Sequence, residues 1–289
     1  MKLCLECRQE FAQNGWHCPN CNYQPELVDS VPLLAPELQS GFEARFFESL
    51  AANEAGHFWF EARNEVILWA LKTHFPDCQT FLEVGGGTGF VSAGIQAYAP
   101  HVNITLSELF IEGLEIAKTR LKVANFVQMD AQNIPYRDHF DVIGSFDVLE
   151  HVPNDVLALN QMYKATRPGG GLILSVPQHP WLWSVVDDYG HHQRRYTRDD
   201  LEDKVNAAGF EIRHMTSFMS LTLPMFMFSR FLTRNQTIED YDPRSEMQLP
   251  RPINASLRLL LRLEAAMLRY LSLPVGSSLL LVAQRPLKP

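Results

Sequence analysis

An acid followed by alternating glycines, Glu83-Val84-Gly85-Gly86-Gly87-Thr88-Gly89, sits directly behind the apolar pair Phe81-Leu82 and is the stretch best suited to hold a small ligand against backbone. Glycine has no Cβ and tolerates positive φ, so Gly85, Gly87 and Gly89 can turn tightly at a strand end while a helix opens beneath. A dinucleotide fingerprint would place its third glycine at position 90, where Phe90 stands, which argues against NAD or FAD. Two further acids follow at predicted strand ends: Glu108 behind the run 102–106, where a carboxylate can accept both hydroxyls of a ribose, and Asp130 behind the run 124–129. Histidine titrates near neutrality, so the candidate bases are His151, which follows Asp147 and Glu150, and His191 or His192 in the segment Gly190-His191-His192-Gln193-Arg194-Arg195-Tyr196-Thr197. Each has a plainer reading. Glu150-His151 can cap a helix, and Arg194 and Arg195 can pair with Asp187 and Asp188 to fix a loop.

Cys4-x-x-Cys7 and Cys18-x-x-Cys21 have the knuckle spacing that gives four thiolates tetrahedral access to one Zn²⁺. A segment this short has little core of its own, so the metal would supply its folding energy. Two disulfides are the competing arrangement, disfavoured because no export signal is read at Met1-Lys2-Leu3. Neither pair opens a helix in a βαβ unit, which argues against redox chemistry. Cys78 reads as a packed thiol.

These groups need a scaffold that brings strand ends together. From Phe81 to Gly209 strand and helix patterns alternate, which predicts a doubly wound, mostly parallel sheet of the α/β class. Strands are expected at 81–84, 102–106, 124–129, 140–147, 172–176, 210–216 and 277–284. Residues 1–24 form the predicted zinc ribbon. Residues 25–40, with Pro25, Pro32 and Pro36, form an extended linker that should leave the ribbon separable from a domain at 41–289. Helical spacing covers Glu37–Leu50 and Glu61–His74, the latter with an apolar face from Val66, Ile67, Trp69, Ala70 and Leu71. His57-Phe58-Trp59-Phe60 between them serves either core packing or as a lid on the ligand pocket. Thr197 with Asp200 has the form of a capping box for a helix ending at Gly209.

The hydrophobic insertion at about 218–275 holds a helix, Ala255–Leu271, with Arg258, Arg262 and Arg269 on one narrow stripe and leucines over most of the rest. Such a helix wants cover, whether from the fold itself, a homodimer or a peripheral contact with a membrane or lipid acceptor.

The Glu-x-Gly-x-Gly-x-Gly loop resembles motif I of the class I S-adenosylmethionine-dependent methyltransferases, and Phe140-Asp141-Val142-Ile143 running into Val148-Leu149-Glu150-His151-Val152 resembles motif IV of the ubiquinone/menaquinone-type enzymes. Arg167-Pro168-Gly169-Gly170-Gly171 matches the turn before the fifth strand, and Gly190-His191 with Arg194-Arg195-Tyr196 resembles a bacterial GH-x-RRY subgroup, with one extra residue here. The resemblance covers about residues 57–285. It implies a Rossmann-like sheet of seven strands with the last inserted antiparallel, and S-adenosylmethionine as cofactor. It implies a cofactor pocket of Glu83, Gly85, Gly86, Gly87, Gly89, Glu108, Asp130, Ala131 and Phe146, with Glu108 on the ribose and Asp130 on the adenine amino group. On the acceptor side the residues themselves leave His151, His191, Arg194, Arg195 and Tyr196 as the catalytic candidates, with Met225–Phe231 expected to cover an apolar part of the acceptor. Asp147, Glu150 and His151 also match the acid-x-x-Glu-His pattern of quinone-precursor O-methyltransferases that use a divalent metal.

Composition narrows the acceptor. A net charge of −8 gives no general attraction to nucleic acid, and 46% hydrophobic residues over 289 positions suffice for one full α/β core. The uncharged, apolar stretch Met215–Ser229 is shorter than the roughly twenty apolar residues of a membrane span, so the expected location is cytoplasmic, with a membrane-peripheral variant. The function expected is methyl transfer to a small-molecule, glycan or lipid-intermediate acceptor. An RNA or protein methyltransferase docking substrate through the ribbon is the alternative, and a non-catalytic cofactor-binding scaffold the third.

Overall fold

The N-terminal residues bury only a small cluster, Cys4, Phe11 and Cys18 with Trp16 and Tyr23 against it, and the chain forms two short hairpins there: β1 (Lys2–Leu3) with β2 (Glu10–Phe11), and β3 (Leu27–Val28) with β4 (Val31–Pro32). The computed structural model describes residues 1–13, 15–36, 44–234, 236–242 and 247–287. The first part of the predicted helix Glu37–Leu50, and the expected linker end at residue 40, lie outside the described residues. The described part of that helix is α1 (Ala44–Glu54).

Helix α2 (Phe58–His74) begins earlier than its apolar spacing suggests, because His57 Nδ1 accepts the Trp59 N–H and caps it. The aromatic cluster is therefore its first turn, with Phe58 and Phe60 buried. Alternation then follows: β5 (Thr80–Val84), α3 (Phe90–Tyr98), β6 (Asn103–Glu108), α4 (Ile111–Arg120), β7 (Asn125–Gln128), β8 (Phe140–Phe146), α5 (Asp155–Ala165) and β9 (Thr166–Pro177). After a loop holding the short α6 (Val185–Tyr189) come α7 (Arg198–Ala207), β10 (Glu211–Phe218), α8 (Leu223–Thr233), α9 (Arg251–Leu268) and β11 (Ser278–Gln284).

The seven-stranded sheet has the order β10-β11-β9-β8-β5-β6-β7, parallel from β9 to β7, with β11 antiparallel to both its neighbours. Both faces are covered, so the strands read as continuous apolar runs. Phe81, Ile104, Val142, Ile173 and Leu280 pack under α2, α3 and α9, while Leu82, Ile143, Leu172, Leu174 and Leu281 pack under α5 and α7. Ile67 and Leu71 of α2 are among the former; burying each such side chain contributes about 1.5–3 kcal/mol. The chain runs β5, β6, β7 in one direction and then returns to place β8 on the other side of β5. That reversal opens a crevice at the carboxyl ends of β5 and β8, where ligands of such sheets bind.

The ribbon is not on a free tether. Leu3 N–H donates to Pro135 O at 2.9 Å, Arg137 N–H donates to Met1 O at 2.9 Å, and Trp16 packs edge-on against the buried Tyr136 ring at 5.4 Å. The linker pairs too: Leu34 N–H donates to Gln128 O at 2.9 Å, covering the open edge of β7. Separability, expected from the prolines, gives way to a ribbon knitted onto the domain.

Candidate active site

The glycine-rich turn follows β5 with Gly85, Gly87 and Gly89 at φ of +71°, +51° and +76°. Three of its glycines are needed for packing. A Cβ on Gly85 would lie 2.5 Å from Val148, on Gly86 2.6 Å from Leu106, and on Gly89 2.9 Å from Ala117. Gly87 alone faces space, with only the Phe47 ring of α1 nearby, at 3.9 Å. That open side beneath α1 is a cradle that any side chain at 87 would fill.

Glu108 at the end of β6 holds the cradle in place. Its Oε2 accepts the Gly87 N–H at 2.9 Å and its Oε1 accepts the Leu109 N–H at 2.7 Å. Burial raises its pKa against these hydrogen bonds. Glu83 lies deeper, bonded to the Ser92 hydroxyl at the start of α3, and burial pushes its carboxyl up to about 7. Helix α1 is locked over the turn: Glu54 accepts the Thr88 hydroxyl at 2.7 Å and pairs with Arg120, which also donates to Ala51 O at 3.0 Å.

Across the crevice, Asp147 follows β8 at φ +55° and pairs with Arg63 of α2 at 2.6 Å, while accepting the Ser175 hydroxyl at 3.2 Å. The Arg63 guanidinium stacks over Trp59 at 4.6 Å and attracts Glu83 and Glu150 as well. Arg63 was legible only in hindsight. It lies four residues before Ile67, on the core-facing stripe of α2, where a cation must find partners.

Glu150, His151 and His192 bring potential ligand atoms within 4.8 Å of one another. Glu150 is buried with Oε2 unbonded, and burial, then the Asp147 charge, raises its pKa well above the ordinary value. Burial pushes His151 down to about 3, so its imidazole is neutral. The His151 and His192 rings meet edge-on at 4.6 Å. His192 Nδ1 stands 2.9 Å from Oδ1 of Asp187, a fully buried acid that also takes Arg195 Nε–H at 2.7 Å. Asp147 belongs to Arg63, so a divalent ion here would draw on Glu150, His151 and His192, not on the acid-x-x-Glu-His trio.

The loop residues sort differently from expectation. His191 is exposed at φ +55°, and His192 takes the inward place. Arg194 donates to Val152 O at 2.6 Å and Pro153 O at 2.9 Å, spending its fork on the turn after β8. Tyr196 is fully buried with its hydroxyl on Asp155 at 2.8 Å, and so braces the loop. Arg195 acts on Asp187. The pairing of Arg194 and Arg195 with Asp187 and Asp188 is half met, since Asp188 takes the Trp183 indole N–H instead, at 2.9 Å. On the cofactor side, Asp130 accepts the Gln132 N–H at 2.8 Å at the rim of β7, and Ala131 is buried beside it. Phe146 turns away, its ring filling the space over Gly144 against Phe81 in the core, because Gly144 leaves room there. Met225, Met227, Phe228 and Phe231 of α8 face outward, and only Phe226 of that run packs inward.

In the ribbon, Cys4 and Cys21 sulfurs are 3.5 Å apart and Cys7 and Cys18 3.7 Å, and all four lie within 4.8 Å of one another. A tetrahedron with Zn–S of about 2.3 Å has edges of about 3.8 Å, which this set approaches, whereas a disulfide needs about 2 Å.

Comparison with known proteins agrees with this architecture. The family model of the methyltransferase domain matches residues 24–215. The chain is 36% identical over 173 residues to 2-methyl-6-phytyl-1,4-hydroquinone methyltransferase 1 of Oryza sativa subsp. japonica, covering 57% of this chain and 51% of that protein. It is 30% identical over 172 residues to the ubiquinone/menaquinone biosynthesis C-methyltransferase of Vibrio parahaemolyticus, covering 52% of this chain and 63% of that one. It thus spans less than two thirds of either relative. Among solved structures, phosphoethanolamine N-methyltransferase 2 of Haemonchus contortus with S-adenosyl-L-methionine superposes with a TM-score of 0.56 at 16% identity, over 86% of this chain and 58% of that one. At that identity the likeness speaks for the fold.

Proposed function

Since the chain belongs to the methyltransferase-domain family, we propose that it is an S-adenosylmethionine-dependent methyltransferase acting on a small hydroxylated acceptor of the quinol type, with an apolar portion. The relatives' names support this acceptor class. The observation that carries it is the Asp187–His192 pair, set beside Glu150 and neutral His151 on the acceptor side of the crevice.

Bound S-adenosylmethionine supplies a methyl group on a positively charged sulfur, and transfer is an in-line displacement in which the protein positions and deprotonates. Gly87 leaves room for the cofactor, Glu108 sets the turn and offers carboxylate oxygens to the ribose, and Asp130 stands at the adenine end. Asp187 holds His192 by Nδ1, leaving Nε2 to take the proton of an acceptor hydroxyl. Against its burial, the hydrogen bond to His192 and then the Arg195 charge hold the Asp187 carboxyl below its ordinary range, and Arg195 fixes it in place. The buried Glu150 and His151 present a wall of low charge suited to an aromatic ring.

Cys4, Cys7, Cys18 and Cys21 hold one structural Zn²⁺ in this reading, in a ribbon at 1–24 followed by a linker at 25–40 and the catalytic domain at 41–289. The ribbon's Trp16 and first strand are engaged with the chain's own residues 135–137, which disfavours a ribbon given over to docking RNA or protein. Transfer of labelled methyl groups from S-adenosylmethionine to hydroquinones with and without an apolar tail tests the assignment. Label is expected in the hydroquinones; label only in RNA or protein fractions of a cell extract would contradict it.

A further inference from the structure

Helix α9 carries three distinct faces. Leu261, Glu264, Ala265 and Leu268 are buried, the last two and Leu261 in the core shared with α2. Arg258, Arg262 and Arg269 run along one flank and, with Lys72 of α2, reach into a groove of about 750 Å³ between α2, α3 and α9. The remaining face is apolar and exposed, with Leu259 62%, Leu263 56% and Tyr270 87% accessible.

Helix α8 extends that surface. Its start is tied to α9, since Leu221 N–H donates to Glu264 at 2.7 Å, and Phe228, Phe231 and Leu232 project from it at 63%, 58% and 65% accessibility. The segment that follows touches the acceptor loop, where the Tyr241 and Tyr189 rings meet at 5.2 Å. Exposed apolar side chains on this scale mark an interaction surface.

Charge selects the occupant. The whole chain is at −8, yet residues 221–275 hold seven arginines against five acids, and the single acid of α9, Glu264, is buried and bonded. Arg258 and Arg269 lean on Glu61 and Glu65 at 3.5 and 3.9 Å, while Arg262 has no ion-pair partner among the described residues. An apolar stripe flanked by a row of arginines, with Arg262 and Lys72 in excess over the two glutamates of the groove, is the pattern of a helix lying in a membrane interface, apolar face in the acyl boundary and cations among anionic headgroups. No described helix is long and apolar enough to cross a membrane, so contact would be at the surface.

We propose that α8 and α9 form a docking face for an anionic bilayer, with the arginine-lined groove taking headgroup phosphates and the acceptor loop held at the membrane surface. The inference deepens the proposed function, resting on it only for the source of the acceptor: an apolar-tailed quinol dissolved in the same bilayer.

The test is co-sedimentation of the full-length protein with phosphatidylcholine vesicles and with mixed phosphatidylcholine–phosphatidylglycerol vesicles. The protein is expected to partition onto the mixed vesicles, more weakly at high salt, and little onto phosphatidylcholine alone. Leu263→Glu, Phe231→Glu and Arg262→Glu alter exposed side chains, and each should lower partitioning about tenfold or more while leaving the melting temperature and S-adenosylmethionine affinity unchanged. Failure of wild type to bind mixed vesicles, or undiminished binding in all three variants, would overturn the proposal. So would a concentration-dependent dimer in light scattering that Leu263→Glu abolishes, which would assign the face to a second copy. Cofactor affinity is read without any acceptor, so loss of the docking face and loss of the methyl-transfer reading are told apart.

Discussion

Arg63 and Asp147 meet at 2.6 Å across the crevice between α2 and the end of β8, joining the helix that roofs the site to the strand end that floors it. Both side chains are largely buried, and the same guanidinium faces Glu83 and Glu150. One cation therefore holds down three acids that the crevice would otherwise leave in repulsion.

Removing that cation should be costly. Arg63→Met is expected to destabilise the fold by roughly 3 kcal/mol, as for a buried pair broken from one side. Arg63→Lys should recover only part, because an ammonium cannot both bond Asp147 and stack a planar group on Trp59. Urea unfolding of the two variants measures this, and a loss below about 0.5 kcal/mol for Arg63→Met would remove Arg63 from its organising place.

Glu83 makes a pH-dependent contribution. Its folded-state pKa of about 7 lies above the ordinary 4.5, so the folded protein holds the extra proton between those values. Stability due to this group is therefore present at low pH and is lost as pH rises from about 4.5 to about 7. Glu83→Gln cannot ionise, so its stability relative to wild type should climb across that window by at most about 3 kcal/mol and level off above it. The same variant is expected to bind S-adenosylmethionine more weakly. A stability difference equal at about pH 5 and about pH 8 would show that Glu83 does not titrate in this range.

The fold was almost wholly legible before the structure. Each predicted strand is present, because strands buried on both faces must be apolar runs and their ends here carry acids and glycines. Within the site, legibility followed the backbone. The glycine turn and Glu108 were readable because their spacing is dictated by strand and turn geometry. Arg194 and Tyr196 misled because a cationic, aromatic loop looks the same whether its donors face a ligand or, as here, the carbonyls of 149–153 and Asp155. That His192 and not His191 faces inward depends on the left-handed turn at His191, which sequence does not display. Ribbon docking through Tyr136 was equally hidden, since it joins segments over a hundred residues apart.

The two loop histidines should separate in kinetics. His192→Ala is expected to lower turnover at least about tenfold with cofactor affinity intact, and His191→Ala to leave turnover within about twofold. Asp187→Asn should resemble His192→Ala in turnover but also lower the melting temperature, because it strands Arg195. Equal losses at His191 and His192 would return the base to the exposed position.

Metal analysis should find about one zinc per chain. Chelation is expected to lower the melting temperature of the whole protein and to alter Trp16 fluorescence, because the ribbon packs on Tyr136. Cys4→Ser should do the same without added chelator. An unchanged melting temperature on metal removal would mean the ribbon contributes nothing to the domain it touches.

The most direct test of the account is calorimetric titration of S-adenosylmethionine into wild type and Gly87→Val. Gly87 is the one glycine of the turn whose missing Cβ faces open space, so a valine there fills the cradle without striking the sheet, though its positive φ will lower stability somewhat. Wild type should bind, and the variant, confirmed folded by its melting transition, should bind at least about tenfold more weakly. Undiminished affinity in folded Gly87→Val would contradict the placement of the cofactor in this crevice.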